Sequence, residues 1–152
     1  HDGVVNKFIG DAVLALFGAP VEIPSEETEA VLAGIEVQKS MEELNMIPLL
    51  RQKNLTISVK IGISTGEVVV GTVGKKKIRI EYTALGDNVN VAERLQGRAD
   101  SGEILINREA YERVKKSDDP RIKQARIAFT PLPPMTLKGK KKPVDVFRVD
   151  YR

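Results

Sequence analysis

The stretch VNKFIGDAVLALFGAP, residues 5–20, decides the local fold at the start of this chain. Two runs rich in β-forming residues, 4–9 and 12–17, flank the pair Gly10-Asp11. Glycine and aspartate tolerate the positive φ angles that a two-residue hairpin turn requires. The stretch therefore predicts a β-hairpin with the carboxylate of Asp11 at its tip. Taken alone, this stretch is equally consistent with Asp11 being a turn residue that has no further role.

Length and composition limit the classes of fold and function that this chain can have. The chain has 152 residues, of which 41% are hydrophobic and 30% charged, so it can build one domain that buries roughly two thirds of its unfolded surface. No apolar run is long enough to cross a bilayer. The absence of cysteine excludes a disulfide scaffold and a thiolate metal site, and it fits a reducing compartment such as the cytoplasm.

The charge balance argues against a nucleic-acid binder. A net charge of +3 lacks the concentrated basic footprint that such proteins carry. Two local lysine clusters, at residues 75–77 and 138–142, remain suited to contact a phosphate group.

Helix and strand signals alternate along the chain. Ser25, followed by acidic residues, predicts a helix N-terminus, and the apolar residues of this helix predict an inner face that closes near Pro48. The members of that face are Ala30, Gly34, Val37, Met41 and Leu44. Residues 56–65 alternate apolar and polar side chains, which predicts a strand, and EVVVGTV (67–73) predicts a second strand that pairs with it antiparallel.

The second half of the chain continues this pattern. We predict a strand over 78–85, a break at Gly86, and a helix over DNVNVAERLQGRA with Asp87 or Asn88 as its cap. Its inner face is predicted to hold Val89, Ala92 and Leu95. A short strand, 103–106, leads to a helix capped by Asn107, then to an exposed loop over 115–121 and a terminal hairpin with a lysine-rich tip at 139–142. The order βαββαβαββ favours a single α/β domain over 1–152, an α+β sandwich with one mostly antiparallel sheet and helices on one face.

Five stretches of this chain resemble, in order and spacing, the signature segments of the class III nucleotide cyclases, the adenylate and guanylate cyclase catalytic domain. They are VNKFIGDAVLALFGAP, VKIGISTGEVVVGTVG, EYTALGDNVNVAERLQ, SGEILIN and LKGKKKPVDVFRV. The resemblance implies the ferredoxin-like cyclase fold. In the family, the domain opens with a strand bearing a metal-binding aspartate in a motif like Phe-x-Asp-x-x-Gly-Phe-Thr, followed by two helices. That opening is not found here, so the chain is expected to be the cyclase domain truncated at its N-terminus.

The resemblance implies conversion of ATP to 3′,5′-cyclic AMP and pyrophosphate. Asp11 matches the second of two metal-binding aspartates, which in the family hold two divalent cations, Mg²⁺ or Mn²⁺. Because one carboxylate seldom holds Mg²⁺ tightly, residues 1–152 on their own are expected to have negligible activity.

The remaining site residues follow from the same resemblance. Lys7 and Thr83 match the two positions that read the purine edge; lysine is a donor suited to N1 of adenine, whereas guanine presents a donor there. Asn90 and Arg94, at i and i+4 on one helix face, match the residues that orient the ribose and contact the α-phosphate. Lys138 matches the lysine that binds the triphosphate.

The resemblance also implies a homodimer. In the family the metal aspartates come from one protomer, while the base-reading pair and the Asn/Arg pair come from the other, so that two composite sites lie at the interface. Fused regulatory domains are expected in the parent protein, with membrane anchoring left open. Two alternatives remain: a non-catalytic nucleotide-binding or regulatory module of cyclase type, and an α/β interaction domain whose basic clusters bind an acidic partner.

Overall fold

The computed structural model describes residues 1–73, 81–136 and 142–151. Eight strands and five helices lie within this part of the chain. The strands are β1 Val4–Ile9, β2 Ala12–Leu16, β3 Ile61–Ile63, β4 Val69–Val73, β5 Glu81–Leu85, β6 Ile104–Asn107, β7 Ala128–Met135 and β8 Val144–Asp150; the helices are α1 Glu26–Asn45, α2 Pro48–Gln52, α3 Asp87–Arg98, α4 Arg108–Lys115 and α5 Pro120–Gln124.

The predicted first hairpin is confirmed. β1 pairs with β2 antiparallel, with Phe8 opposite Val13 and Ile9 opposite Ala12. Gly10 in the turn has φ 61°, a left-handed conformation that glycine adopts without steric cost. The hairpin thus closes at the two residues that its sequence singles out.

The main sheet has the strand order β3-β6-β8-β7. β3 runs parallel to β6, while β6 and β7 both pair with β8 antiparallel. β4 and β5 form a separate antiparallel pair. The predicted antiparallel pairing of the β3 region with β4 is therefore wrong: between the described residues, each of these strands pairs elsewhere. The predicted strand over 56–65 shortens to three residues.

Strand β6 lies at the centre of the core. All four of its residues are buried, as expected for a strand covered on both faces. Ile104 and Ile106 pack with residues of α1 and α4, whereas Leu105 packs with Val91 and Leu95 of α3. Helices therefore cover both faces of the main sheet, which corrects the prediction that they lie on one face and places α3 alone on the side opposite α1.

Three local predictions also need correction. The buried face of α1 includes the predicted Ala30 and Gly34 but also Val31 and Ile35, and Val37 is 42% exposed, because the sheet contacts a helix face rotated from the predicted one. Part of the predicted loop over 115–121 belongs to the short helix α5, whose N-terminus is capped by the side chain of Asp119. Gly86, not Asp87 or Asn88, occupies the cap position of α3.

Within the described residues, no helix combines the length and apolarity that crossing a membrane requires.

Candidate active site

The two predicted base-reading residues lie on neighbouring strands. Lys7 is half-buried on β1, and Thr83 is buried on β5. Asn6 Nδ2 donates a hydrogen bond of 3.0 Å to the backbone carbonyl of Tyr82, which connects the residue before Lys7 to the residue before Thr83. Two positions 76 residues apart in sequence are thereby brought to the same region of the molecule.

The hydroxyl of Thr83 already has one partner. Its Oγ1 lies 3.5 Å from the backbone carbonyl of Ala84, to which it donates. A hydroxyl has one proton and two lone pairs, so the oxygen of Thr83 keeps its capacity to accept a hydrogen bond from a ligand.

The predicted catalytic pair lies on α3, directly after β5. Asn90 and Arg94 are both exposed and lie one helical turn apart. Neither side chain makes a hydrogen bond or an ion pair with the described part of the chain. Gly86, between β5 and α3, has φ 153°, a conformation that favours glycine. The chain therefore turns sharply from the strand carrying Thr83 into the helix carrying Asn90 and Arg94.

A glycine in β3 lets α3 lie close to the sheet. A Cβ added at Gly62 would overlap the carbonyl oxygen of Ala92 and the amide nitrogen of Gln96, and it would lie 2.9 Å from Cβ of Leu95. All three atoms belong to α3. The height of this helix above the sheet, and with it the position of Arg94, depends on the missing side chain at position 62.

The N-terminal end of α3 is tied to the loop after β3. Asn88 Nδ2 donates to the carbonyl of Glu67 at 3.0 Å, and Oγ of Ser64 donates to Oδ1 of Asn88 at 3.4 Å. This role replaces the helix cap that the sequence predicts for Asn88.

Asn107 also stabilises the loop that follows β3. Its side chain is 2% exposed, and Oδ1 accepts from the backbone amides of Thr65 and Ala110, each at 3.1 Å. Nδ2 donates to the carbonyl of Thr65 at 2.9 Å and to Oγ of Ser64 at 3.1 Å. The predicted cap of α4 is confirmed, and one buried amide also holds the loop that contacts α3.

Asp11 is exposed at the tip of the hairpin. Among the described residues there is no group of three or more His, Cys, Asp or Glu side chains arranged to hold a metal ion. The predicted phosphate-binding Lys138 lies outside the described residues, as do lysines 75–77.

Two depressions lie in the described part of the chain, and neither is lined by a predicted site residue. One of about 220 Å³ is lined by Asn88 and Val91 of α3, residues 107–109 and residues 142–145, and it is smaller than most ligand pockets. Arg108 at its edge is paired with Asp145 at 2.8 Å, and this hydrogen bond raises the pKa of the guanidinium. A wider depression of about 590 Å³, around Glu103 and Arg148, contains none of the predicted site residues.

Sequence reasoning missed two residues that shape this region, Gly62 and Asn6. An isolated glycine in a strand pattern signals close backbone approach, so Gly62 could have been found. The sequence feature that could have pointed to Asn6 is a polar residue in an otherwise apolar strand.

Residues 4–149 match the sequence model of the adenylate and guanylate cyclase catalytic domain. Adenylate cyclase 1 of Rhizobium meliloti (strain 1021) is 34% identical to this chain over 151 residues, which are 98% of the chain and 21% of that relative. The chain thus spans about a fifth of the length of this curated relative.

Two solved structures share the fold. The crystal structure of the adenylyl cyclase CyaB from P. aeruginosa superposes with a TM-score of 0.81 at 32% identity, covering 97% of this chain and 71% of that one. The crystal structure of the guanylyl cyclase Cya2 gives a TM-score of 0.76, also at 32% identity, over 97% and 69% of the two chains. These likenesses confirm the predicted fold class. Because the identity to both is the same, base preference has to be argued from individual residues.

Proposed function

This chain belongs to the adenylate and guanylate cyclase catalytic-domain family, and from that premise we propose that the protein containing it converts ATP to 3′,5′-cyclic AMP and pyrophosphate. The observation that carries the choice of ATP is the placement of Lys7 on the strand next to Thr83. Two hydrogen-bonding side chains of complementary type, one a donor and one able to accept, lie on these strands and suit one purine edge.

Adenine fits this pair better than guanine. The ammonium group of Lys7 can only donate, which suits the acceptor N1 of adenine and opposes the N1–H of guanine. The oxygen of Thr83 has two lone pairs, so it can accept from the 6-amino group of adenine, and its contact with the carbonyl of Ala84 is long at 3.5 Å. Guanine has an acceptor oxygen at that position, and because a hydroxyl can donate as well as accept, Lys7 is the residue that discriminates between the two bases.

The chemical step forms a bond between the ribose 3′-oxygen and the α-phosphorus and breaks the bond from that phosphorus to the oxygen bridging to the β-phosphate. The proton of the 3′-hydroxyl is lost, and pyrophosphate leaves with the bond electrons. Negative charge builds on the α-phosphate oxygens, where a planar guanidinium with several donors stabilises it. The family motif assigns this role to Arg94 and the orientation of the ribose to Asn90. In support, both side chains are exposed, lie one turn apart and are unpaired within the described residues.

The family is metal-dependent, and Asp11 fits one part of a metal site. Its carboxylate is exposed at a turn, and Mg²⁺ commonly takes one or two carboxylates together with waters and substrate phosphates. Bound divalent cations would supply charge neutralisation at the triphosphate and a lower pKa for the attacking hydroxyl.

We further propose a homodimer in which each site takes residues from both protomers. The first hairpin displays large apolar side chains to solvent, and Phe8 is 75%, Ile9 58% and Val13 55% exposed. Apolar surface concentrated in this way is typical of an interaction site. Lys7 and Asp11 of one chain would belong to two different composite sites, and because both lie on this hairpin, a partner that covers it would lie beside residues of both sites.

The test of substrate choice is an exchange of the base-reading pair in the full-length protein. Wild type should form cyclic AMP from ATP far faster than cyclic GMP from GTP, and Lys7→Glu combined with Thr83→Cys should shift the ratio of the two kcat/KM values toward GTP. A wild type that prefers GTP would refute the assignment of this pair.

Catalysis itself is tested on α3. Arg94→Ala should lower kcat by about 10²–10³-fold, the loss usually seen when one transition-state donor is removed, without a change in unfolding temperature. Arg98→Ala is the matched control, since Arg98 lies one turn further along and donates to the carbonyl of Pro133. Saturable ATP binding without turnover in the wild type would instead identify a non-catalytic nucleotide-binding module.

A further inference from the structure

Strand β1 contains an irregularity immediately before Lys7. Val5 is opposite Ala15 and Lys7 is opposite Leu14, so Asn6 is an extra residue with no partner of its own on β2. Such a bulge bends the strand and re-aims the neighbouring side chains, and bulges are frequent next to functional sites. Asn6 and Lys7 are the two half-buried residues of β1, and the other four are exposed.

The side chain of the bulged residue makes the contact between the two strands. Asn6 Nδ2 donates to the carbonyl of Tyr82 at 3.0 Å, and Tyr82 precedes Thr83 on β5. Oδ1 of Asn6 is buried and accepts no hydrogen bond from the described part of the chain. The sequence separation of 76 residues means that no local structure holds Lys7 and Thr83 at their spacing. The Asn6 amide is a direct polar link between their strands.

We propose that Asn6 is a positioning residue for purine recognition: the bulge directs Lys7 toward β5, and the amide bond to Tyr82 sets the spacing between Lys7 and Thr83. The inference rests on the proposed function, because it assumes that these two side chains read the base. Asn6 need not touch the nucleotide. Asn6 favours adenine selectively, because the adenine edge needs a donor, Lys7, and an acceptor, Thr83, at one defined separation.

This role predicts a selective defect in the full-length protein. Asn6→Ala should lower kcat/KM for ATP by about 5- to 10-fold, mainly through a higher KM, since one hydrogen bond contributes about 1 kcal/mol. The value for GTP should stay within about twofold, because GTP does not use the paired donor and acceptor. Asn6→Leu should give the same loss of selectivity. Leucine has a volume similar to that of asparagine, so it leaves no cavity, and it removes both the Nδ2 donor and the buried, unpartnered Oδ1 acceptor.

Asn45→Ala is the matched control. Asn45 also donates Nδ2 to a backbone carbonyl between two segments, that of Ile57 at 2.7 Å, but it lies at the C-terminal end of α1. A loss that reflected only stability would appear in this variant as well. Its ATP-to-GTP ratio should equal that of wild type, with unfolding temperatures of all variants measured alongside.

The possible outcomes separate the two proposals. A fall in the ATP-to-GTP ratio in the Asn6 variants alone supports the inference. Wild-type cyclase activity with an unchanged ratio in both Asn6 variants, or an equal loss for both nucleotides, overturns it and leaves the proposed function standing. A wild type without cyclase activity overturns the proposed function and this inference together.

Discussion

Replacing Gly62 by alanine tests whether the close approach of α3 to β3 positions the proposed catalytic pair. The added Cβ would lie 2.9 Å from Cβ of Leu95 and still closer to backbone atoms of Ala92 and Gln96. Non-bonded carbon atoms prefer a separation of about 3.5–4.0 Å. Since the closest atoms are backbone and cannot rotate away, α3 has to move outward by about 1 Å.

Two measurable effects follow. Overpacking of this kind costs about 1–3 kcal/mol, which corresponds to a fall in unfolding temperature of roughly 2–12 °C for a domain of this size. The domain should stay folded, because typical stabilities are about 5–15 kcal/mol. A displacement of about 1 Å in a catalytic group can lower the rate by about 10²-fold, so cyclase activity should fall far more than stability suggests.

The control is Gly97→Ala in the same helix. A Cβ at Gly97 meets no atom within 4 Å, and alanine is favoured over glycine in a helix by about 0.5–1 kcal/mol. The assay compares kcat for cyclic AMP formation and thermal unfolding of both variants in the full-length protein. If Gly62→Ala retained activity and stability similar to those of Gly97→Ala, the dependence of the site on this helix contact would be refuted.

Three further outcomes are expected. Phe8→Ser should shift the dimer toward monomer in sedimentation experiments and lower activity in parallel, without lowering the unfolding temperature of the monomer; a dimer of unchanged affinity would remove the hairpin from the interface. Asn107→Ala should cost about 2–4 kcal/mol in urea unfolding, because it removes a helix cap and leaves buried polar groups of the Thr65 loop unpaired, and a loss under 1 kcal/mol would contradict this. The hydrogen bond from Arg121 lowers the pKa of Asp119 below its ordinary value of 3.8. The contribution of this bond to the free energy of unfolding is therefore present above pH 3.8 and is lost as the pH falls through the lower pKa of the folded state. Asp119→Asn should flatten the pH dependence of unfolding below 3.8, and parallel curves for variant and wild type would argue against it.

Two predictions that depended on local sequence are confirmed, namely the first hairpin and the cap of α4. Gly10-Asp11 sets the first hairpin because few residue pairs tolerate the turn's backbone angles, and Asn107 caps α4 through a bond to a residue three positions away. The family and fold class were also available from the motifs. The site residues Lys7, Asp11, Thr83, Asn90, Arg94 and Lys138 came from the same matches and remain predictions.

Tertiary structure alone decided which elements meet. The β3 region alternates as an antiparallel strand would, yet it pairs parallel with β6, because strand pairing is chosen by what buries the most apolar surface across the whole domain. The face of α1 was predicted only in part for the same reason: several apolar stripes were available, and the sheet covers Val31 and Ile35 together with the predicted Ala30 and Gly34. The contact between β1 and β5 includes the hydrogen bond from Asn6 to the carbonyl of Tyr82, across 76 residues of sequence. Local propensity acts over a few residues and carries no information on such contacts, which form only when the chain packs.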